Sequence, residues 1–302
     1  MSAQRVGRLF AAAAVITVAT VTSPAVRAAD ADAGASLAIC ADPGNLPYSS
    51  SKLDGFENKI AELLAADLHR TLRYEWAPQR RNFFSRTLLA GRCDVVISVP
   101  GSLPQSMSSI ATTRPWFAST YVVVTRAADN RRFTGFDDDW LKSARIGLQL
   151  IEGGDVNPPP AMSLSRRGIT NNITGFSPWD SATDAPQEKI IDAVANNAID
   201  VAFVWGPFGG YFAKRYGNAL KLDSVTDDPA TPGLAFTFPM AAAVRSQDTA
   251  LKDQLQAALD RNATKIAAIL KDYNVPIAKQ PPVAAASGAQ FSKSKQKRQR
   301  IT

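Results

Sequence analysis

One stretch of this chain is written twice. Leu88-Leu89-Ala90-Gly91-Arg92-Cys93-Asp94-Val95-Val96-Ile97-Ser98-Val99-Pro100-Gly101 is echoed by Ala193-Val194-Ala195-Asn196-Asn197-Ala198-Ile199-Asp200-Val201-Ala202-Phe203-Val204-Trp205-Gly206-Pro207. Each copy ends a predicted helix at Gly91 or Asn197, residues that accept the left-handed cap conformation. Each then places an Asp three residues on, followed by an apolar run rich in β-branched residues, the pattern of a buried parallel strand. Upstream, Leu37-Ala38-Ile39-Cys40 and Arg145-Ile146-Gly147-Leu148 both read as short strands entering Gly-containing loops. The offset is 108 residues for these strands and 106 for the Asp pair. A chance match of common helix–turn–strand text is the competing explanation, and the paired offsets weigh against it. Two similar α/β lobes fit this pattern better than one continuous sheet.

The remaining elements fill in around the echo. Phe56, Ile60, Leu63, Leu64 and Leu68 recur at helical spacing after Gly55, and His69 falls late on that helix as a structural or exposed residue. Residues 72–76 read as a strand, and Phe83, Phe84, Leu88 and Leu89 mark the next helix. Residues 119–126 read as a strand leaving the first lobe and 236–244 as its return partner. Leu251, Leu255, Leu259, Ile266 and Leu270 then place helices back on lobe 1. The expected architecture is α/β with two lobes, each a mostly parallel sheet flanked by helices, joined by a two-strand hinge. Lobe 1 takes residues 35–122 plus 240–280, and lobe 2 takes 126–235. The cleft between them is the default ligand site.

Charge is informative only once the ends are set apart. The chain carries a net +7, but Arg5, Arg8 and Arg27 lie in residues 1–29, which hold no acid. Lys293, Lys295, Lys297, Arg298 and Arg300 lie in an acid-free C-terminal stretch. Subtracting these eight from the 34 basic residues leaves 26 against 27 acidic ones, so the body is nearly neutral. A nucleic-acid protein would hold a basic stripe on its body, and none is expected here. Residues 1–29 read as a secretory signal: a positive start, a 13-residue apolar run over 9–21, and small residues around Ala28. That run is too short to span a membrane well, so no stable membrane insertion is expected and the mature protein is placed in a periplasm. Residues 281–302, rich in Pro, Ala, Ser and Lys, read as a disordered basic tail, either an electrostatic docking arm or a solvated end. Two cysteines and one histidine are too few for a zinc or iron–sulfur centre, and no cofactor or metal is called for.

Several segments resemble type II periplasmic solute-binding proteins. These are Gly55-Phe56-Glu57-Asn58-Lys59-Ile60-Ala61-Glu62-Leu63-Leu64, Gly91-Arg92-Cys93-Asp94-Val95-Val96 and Thr120-Tyr121-Val122-Val123. A narrower set is similar to the quinoprotein dehydrogenase-associated branch, the methanol-oxidation proteins of the MxaJ/XoxJ type. It comprises Cys40-Ala41-Asp42-Pro43-Gly44-Asn45-Leu46-Pro47-Tyr48, Trp76-Ala77-Pro78-Gln79-Arg80-Arg81, Ile146-Gly147-Leu148-Gln149-Leu150 and Val204-Trp205-Gly206-Pro207. The resemblance covers roughly residues 37–277. It implies a non-enzymatic periplasmic accessory whose partner is a pyrroloquinoline-quinone (PQQ) methanol or alcohol dehydrogenase, its cytochrome c, or both, acting in maturation or activation.

The resemblance also bears on the cleft. Amino-acid-binding relatives carry an Asp for the ligand ammonium where this chain has Trp205, and an Arg for the carboxylate in the stretch where it has Gly101-Ser102-Leu103-Pro104-Gln105-Ser106-Met107. Without those counter-charges, burying a zwitterion costs several kcal/mol, so no α-amino-acid binding is expected. The ligand-cleft candidates are Asp42, Asn45, Tyr48, Gly101, Arg114, Gln149, Trp205 and Gly206. Trp205 either stacks an apolar ligand or plugs the cleft, and Arg114 is either a ligand contact or a surface residue. Arg80, Arg81 and Phe83 are partner-contact candidates, weighed against a helix start with Arg outside and Phe inside. Gly153-Gly154-Asp155 is an anion nest or a plain loop, and Asp137-Asp138-Asp139 a solvated turn. Cys40 and Cys93, on neighbouring strands of a secreted chain, are read as a disulfide, with two buried thiols as the alternative. The competing functions are a transporter-linked receptor for a small non-amino-acid solute and an enzyme. The enzyme lacks an acid–base set unless Asp42 or Glu57 titrates abnormally.

Overall fold

The computed structural model describes residues 36–151, 157–178 and 185–279. The expected signal segment, the basic tail and the Gly153-Gly154-Asp155 loop lie outside the described residues.

In chain order the elements begin with β1 (Ser36–Ala41), β2 (Gly44–Asn45), β3 (Ser49–Ser50), α1 (Phe56–Asp67) and β4 (Thr71–Trp76). Then come α2 (Phe83–Arg86), β5 (Val96–Pro100), α3 (Leu103–Ser106), β6 (Ile110–Thr112) and β7 (Phe117–Arg126). They continue with β8 (Ile146–Gln149), α4 (Pro159–Arg166), β9 (Ile173–Phe176), α5 (Lys189–Ala195), β10 (Val201–Trp205), α6 (Gly206–Ala213) and β11 (Leu220–Ser224). The last are β12 (Thr237–Arg245), α7 (Thr249–Arg261) and α8 (Ala263–Asp272).

Parallel strands with helical crossovers build each half. β1 pairs with β4 in parallel and meets Val95, the residue just before β5, through an isolated parallel bridge from Ile39. β8 pairs in parallel with both β9 and β10. Two antiparallel strands join the halves, and β7 is the element common to both. Its residues Phe117–Thr120 pair with β12, and from Tyr121 onward it pairs with β10 and β11. Apolar residues segregate accordingly. Phe56, Ile60 and Leu64 of α1 pack with Leu255, Leu259, Ile266 and Leu270 of α7 and α8 against β1 and β12. Val123, Ile146, Leu148, Val201 and Phe203 centre a second core with Phe133, Phe136 and Phe236.

The helix expected over Phe83 to Leu89 is only the single turn Phe83–Arg86. The Thr87 hydroxyl bonds back to the Phe83 carbonyl at 2.6 Å, and turns carry the chain on to Gly91 in the left-handed region (φ 71°). His69 lies beyond α1 rather than on it, with φ 54°. Gly91 and Asn197 do adopt the left-handed conformation that the echo predicted. Asp94 and Asp200 then do the same work. Each carboxylate accepts the backbone N–H at the head of the neighbouring first strand, Ala38 at 3.0 Å and Arg145 at 2.8 Å. The structural register of the first strands is therefore 107 residues, one fewer than the sequence alignment of 108. Cys40 and Cys93 form a disulfide, with Cα atoms 5.4 Å apart.

Candidate functional site

The carboxyl ends of β1, β5, β8 and β10 face one cleft, and the loop leaving β1 enters it. That loop, 42–50, is fixed before any ligand is considered. The Asp42 carboxylate accepts the N–H of Gly44 at 2.9 Å and of Gln79 at 2.6 Å. The Pro47 and Tyr48 carbonyls accept the first free amides of α1, from Phe56 and Glu57, at 2.8 Å each. Backbone carbonyls thus satisfy a helix end that has no side-chain cap. Gly55 permits this packing, because a Cβ there would collide with the Tyr48 carbonyl. Asn58 closes the corner by accepting the N–H groups of Ser50 and Gly55 at 3.1 Å.

Held in this way, Tyr48 meets the other half. The Trp205 indole N–H donates to the Tyr48 hydroxyl at 2.6 Å, and the Tyr48 ring lies 5.6 Å from Phe208 of α6. Trp205 in turn packs edge-on to Tyr121 and Phe238, with centroids at 5.4 and 5.7 Å. Gln149 orients it by accepting its backbone N–H at 2.8 Å. Beside this contact, the Gln187 amide donates to Asn45 at 3.3 Å, and Asn45 donates to Gln79 at 3.3 Å. A neutral hydrogen bond or a ring pair contributes on the order of 1 kcal/mol, so this set holds the halves together by a few kcal/mol.

Two acids lie against this assembly. Burial raises the Glu57 carboxyl to about 7, partly offset by the polar groups of the neighbouring Ser98, with a small further push from Asp42. The N-terminal turn of α1 favours an anion there, but desolvation outweighs it. Burial also raises Asp42, against the two amides it accepts and the charge of Arg80. Tyr48 is driven well above its usual range by burial. A cavity of about 420 Å³ opens elsewhere, lined by Phe133, Phe136 and four aspartates, 137, 138, 227 and 228. Arg167 already spans two of those, Asp137 and Asp228.

The structure thus brings together Asp42, Asn45, Tyr48, Gln149 and Trp205. It places three other sequence candidates differently. Arg114 is exposed and engaged with α7, its guanidinium pairing with Asp260 at 2.6 Å and its backbone N–H donating to Gln256. Phe83 is buried against Cys40, Cys93 and Leu88, so the single turn of α2 points it into the core rather than toward a partner. Gly206 serves packing, since a Cβ there would collide with the Thr120 carbonyl. Gly101 donates to the Pro239 carbonyl at 2.8 Å beside the hinge. Arg80 and Arg81 lie exposed on the loop after β4. Sequence reasoning missed Gln187, Phe208 and Phe238, which carry no motif and join the cleft only through the fold.

A cleft between two α/β halves hung on a pair of crossing strands defines an extracytoplasmic binding protein of the type II fold. The chain belongs to the bacterial extracellular solute-binding proteins, family 3, whose profile matches residues 37–275. Among curated proteins it is similar to Protein MoxJ of Methylorubrum extorquens, 29% identical over 265 residues covering 85% of this chain and 86% of the relative. Among solved structures it is similar to the periplasmic binding protein XoxJ from Methylobacterium extorquens AM1. That match is 30% identical, with a TM-score of 0.66, and covers 81% of this chain and 100% of that one. MxaJ from Methlophaga aminisulfidivorans shares the fold at a TM-score of 0.66 and 23% identity, covering 80% and 100%.

Proposed function

We propose that this chain is a non-enzymatic periplasmic accessory protein of methanol oxidation. In this reading it retains the solute-binding fold but uses it to contact a PQQ-dependent methanol or alcohol dehydrogenase or its cytochrome c. The lobes are residues 35–122 with 240–280, and 126–235. The observation that carries the reading is the Tyr48–Trp205 contact. An indole bonded across the cleft stands at the position where amino-acid-binding relatives place an ammonium anchor, and Tyr48, Tyr121 and Phe238 pack around it. Similarity to MoxJ and XoxJ over most of the chain supports the methanol-oxidation assignment. Raised acids would be the starting point for an enzymatic reading. Burial is the main cause for both Asp42 and Glu57, and both Asp42 oxygens are already taken by amides.

The test is a pull-down from the source periplasm with the mature protein, with captured proteins identified by mass. Recovery of a quinoprotein dehydrogenase or a cytochrome c, lost as salt is raised, is the expected result and implicates charged contacts. Recovery of only a co-purifying small molecule would overturn it in favour of a transporter-linked receptor for a non-amino-acid solute.

A further inference from the structure

The Tyr48–Trp205 contact is joined by a second fastening, which meets it through Phe56, whose ring lies 4.7 Å from Tyr48 and 6.0 Å from Tyr273. After α8 the chain runs through residues 273–278 across α6 and β7. The Tyr273 hydroxyl donates to the Asp54 carbonyl at 2.6 Å, in the first half, while its ring stacks on Tyr211 of α6 with centroids 5.7 Å apart. The Asn274 side chain donates to the Gly210 carbonyl at 2.8 Å. The Pro276 carbonyl accepts the Ser119 hydroxyl at 2.7 Å, and the Ala278 N–H donates to the Ala118 carbonyl at 2.9 Å, both on β7. This segment therefore grips the first half, the second half and the hinge strand at once.

The seat for it is written into α6. Gly206 and Gly210 stand one helical turn apart on Gly206–Ala213. A Cβ on Gly210 would collide with the Asn274 carbonyl, and Pro276 lies against both glycines. Glycine in a helix costs roughly 1 kcal/mol relative to alanine, so its use here marks a close approach that the fold needs.

We propose that residues 273–278 form a strap that, together with the Tyr48–Trp205 contact, holds the ligand-free protein closed. The two halves then do not part and re-form around a solute; closure is built from the chain's own side chains, those of the cleft contact and those of the strap beside it. The inference concerns conformation and holds whichever protein is the partner.

Spin labels at Asp253→Cys on α7 and Lys142→Cys in the second half report the separation of the halves by pulsed electron resonance. The wild-type background without ligand is expected to give one short-distance population, unchanged when a mixture of amino acids is added. Combining Trp205→Phe with Asn274→Ala is expected to add a longer-distance population, with either change alone giving a smaller shift. Gly210→Ala displaces the strap more directly. Should that variant lose its native circular dichroism, Tyr273→Phe with Trp205→Phe tests the same point with the glycine in place. A wild-type protein that already shows the longer distance and shortens it on adding solute would overturn the proposal. So would a double variant that keeps the single short distance.

Discussion

The two halves solve one problem with different chemistry. In each, a hinge strand ends in an arginine that plugs into the turn before a parallel strand. Arg245, at the end of β12, donates to the Leu88 and Cys93 carbonyls and pairs with Asp94 at 3.3 Å and Asp248 at 2.6 Å. Arg126, at the end of β7, donates to the Val194 and Ile199 carbonyls and pairs with Asp200 at 3.1 Å and Asp129 at 2.6 Å. The two carbonyls and the first aspartate each have their counterpart 106 residues on in the echoed segment, while Asp248 and Asp129 each lie three residues after their own arginine. The halves differ in what fills the space beside the plug. In the first half it is the Cys40–Cys93 disulfide. At the corresponding positions of the second half stand Gly147 and Ile199, and the missing Cβ of Gly147 makes room for the isoleucine. The second half also adds a third partner, since Arg145 pairs with Asp200 at 2.8 Å. One half is thus secured by a covalent bond, the other by apolar packing and extra charge.

That contrast can be broken from several sides. The largest effect is expected from Cys40→Ala with Cys93→Ala, or from reduction. Freeing a 53-residue separation costs about 4 kcal/mol in the chain-entropy estimate. Urea midpoints with and without reductant should separate by that amount, and hydrogen exchange should rise first in β1 and β5. Equal midpoints would show that the bridge adds nothing to the shared arginine plug.

Next in size is a pH effect of opposite sign in the two halves. Glu57 is raised from 4.5 to about 7, so its contribution is fully present below pH 4.5 and is lost as pH rises through about 7. Wild type should lose up to about 3 kcal/mol over that range relative to Glu57→Gln. Asp200 and Asp228, held low chiefly by Arg145 and Arg167 respectively, contribute above the usual aspartate range. Their contribution is lost as pH falls through the depressed values. Thermal melts across pH, for wild type and Glu57→Gln, check both signs; parallel curves would remove Glu57 from the account.

Asp200→Asn should cost about 2 kcal/mol, because it leaves Arg126 and Arg145 without their shared carboxylate. Asp94→Asn, whose carboxylate faces a single arginine, Arg245, beside the Ala38 amide, should cost about 1 kcal/mol. Reversal of that order would mean that the disulfide half leans on its ion pair more than the geometry indicates. The smallest change is Gly147→Ala, at about 1 kcal/mol from overpacking against Ile199. Adding Ile199→Val should restore most of it, as read by the urea midpoint.

Much of this scaffold was legible because its signals are local. Gly91 and Asn197, followed three residues later by Asp, announce a left-handed cap and a strand entry within a short window, and the helical spacing of α1 is equally plain. A matching signal went unused: Arg126 and Arg245 each precede an Asp by three residues, at the ends of the two hinge strands. The cleft was legible only as a set of strand ends. Tyr48 and Trp205 are 157 residues apart, and nothing near either one specifies the other. Their meeting depends on how α1 seats the 42–50 loop and on the small volume of Gly55. Arg114 misled for the same reason: its neighbours in sequence approach the hinge, but α7, more than a hundred residues later, supplies its actual partners.

The order of the strands along the chain sets an order of assembly. The second half is nearly contiguous, and its paired strands are complete once Ser224 has been made. The first half waits for β12, α7 and α8 at the far end of the polypeptide to supply Arg245 and more than a third of its apolar core. Until they arrive, β1, α1, β4 and β5 must remain near one another with an unfinished interior. A sulfur–sulfur bond between β1 and the turn before β5 spans only residues made early. It holds these strands in register independently of β12, α7 and α8. The contiguous half has no such wait, and at the matching positions it carries a glycine and an isoleucine instead.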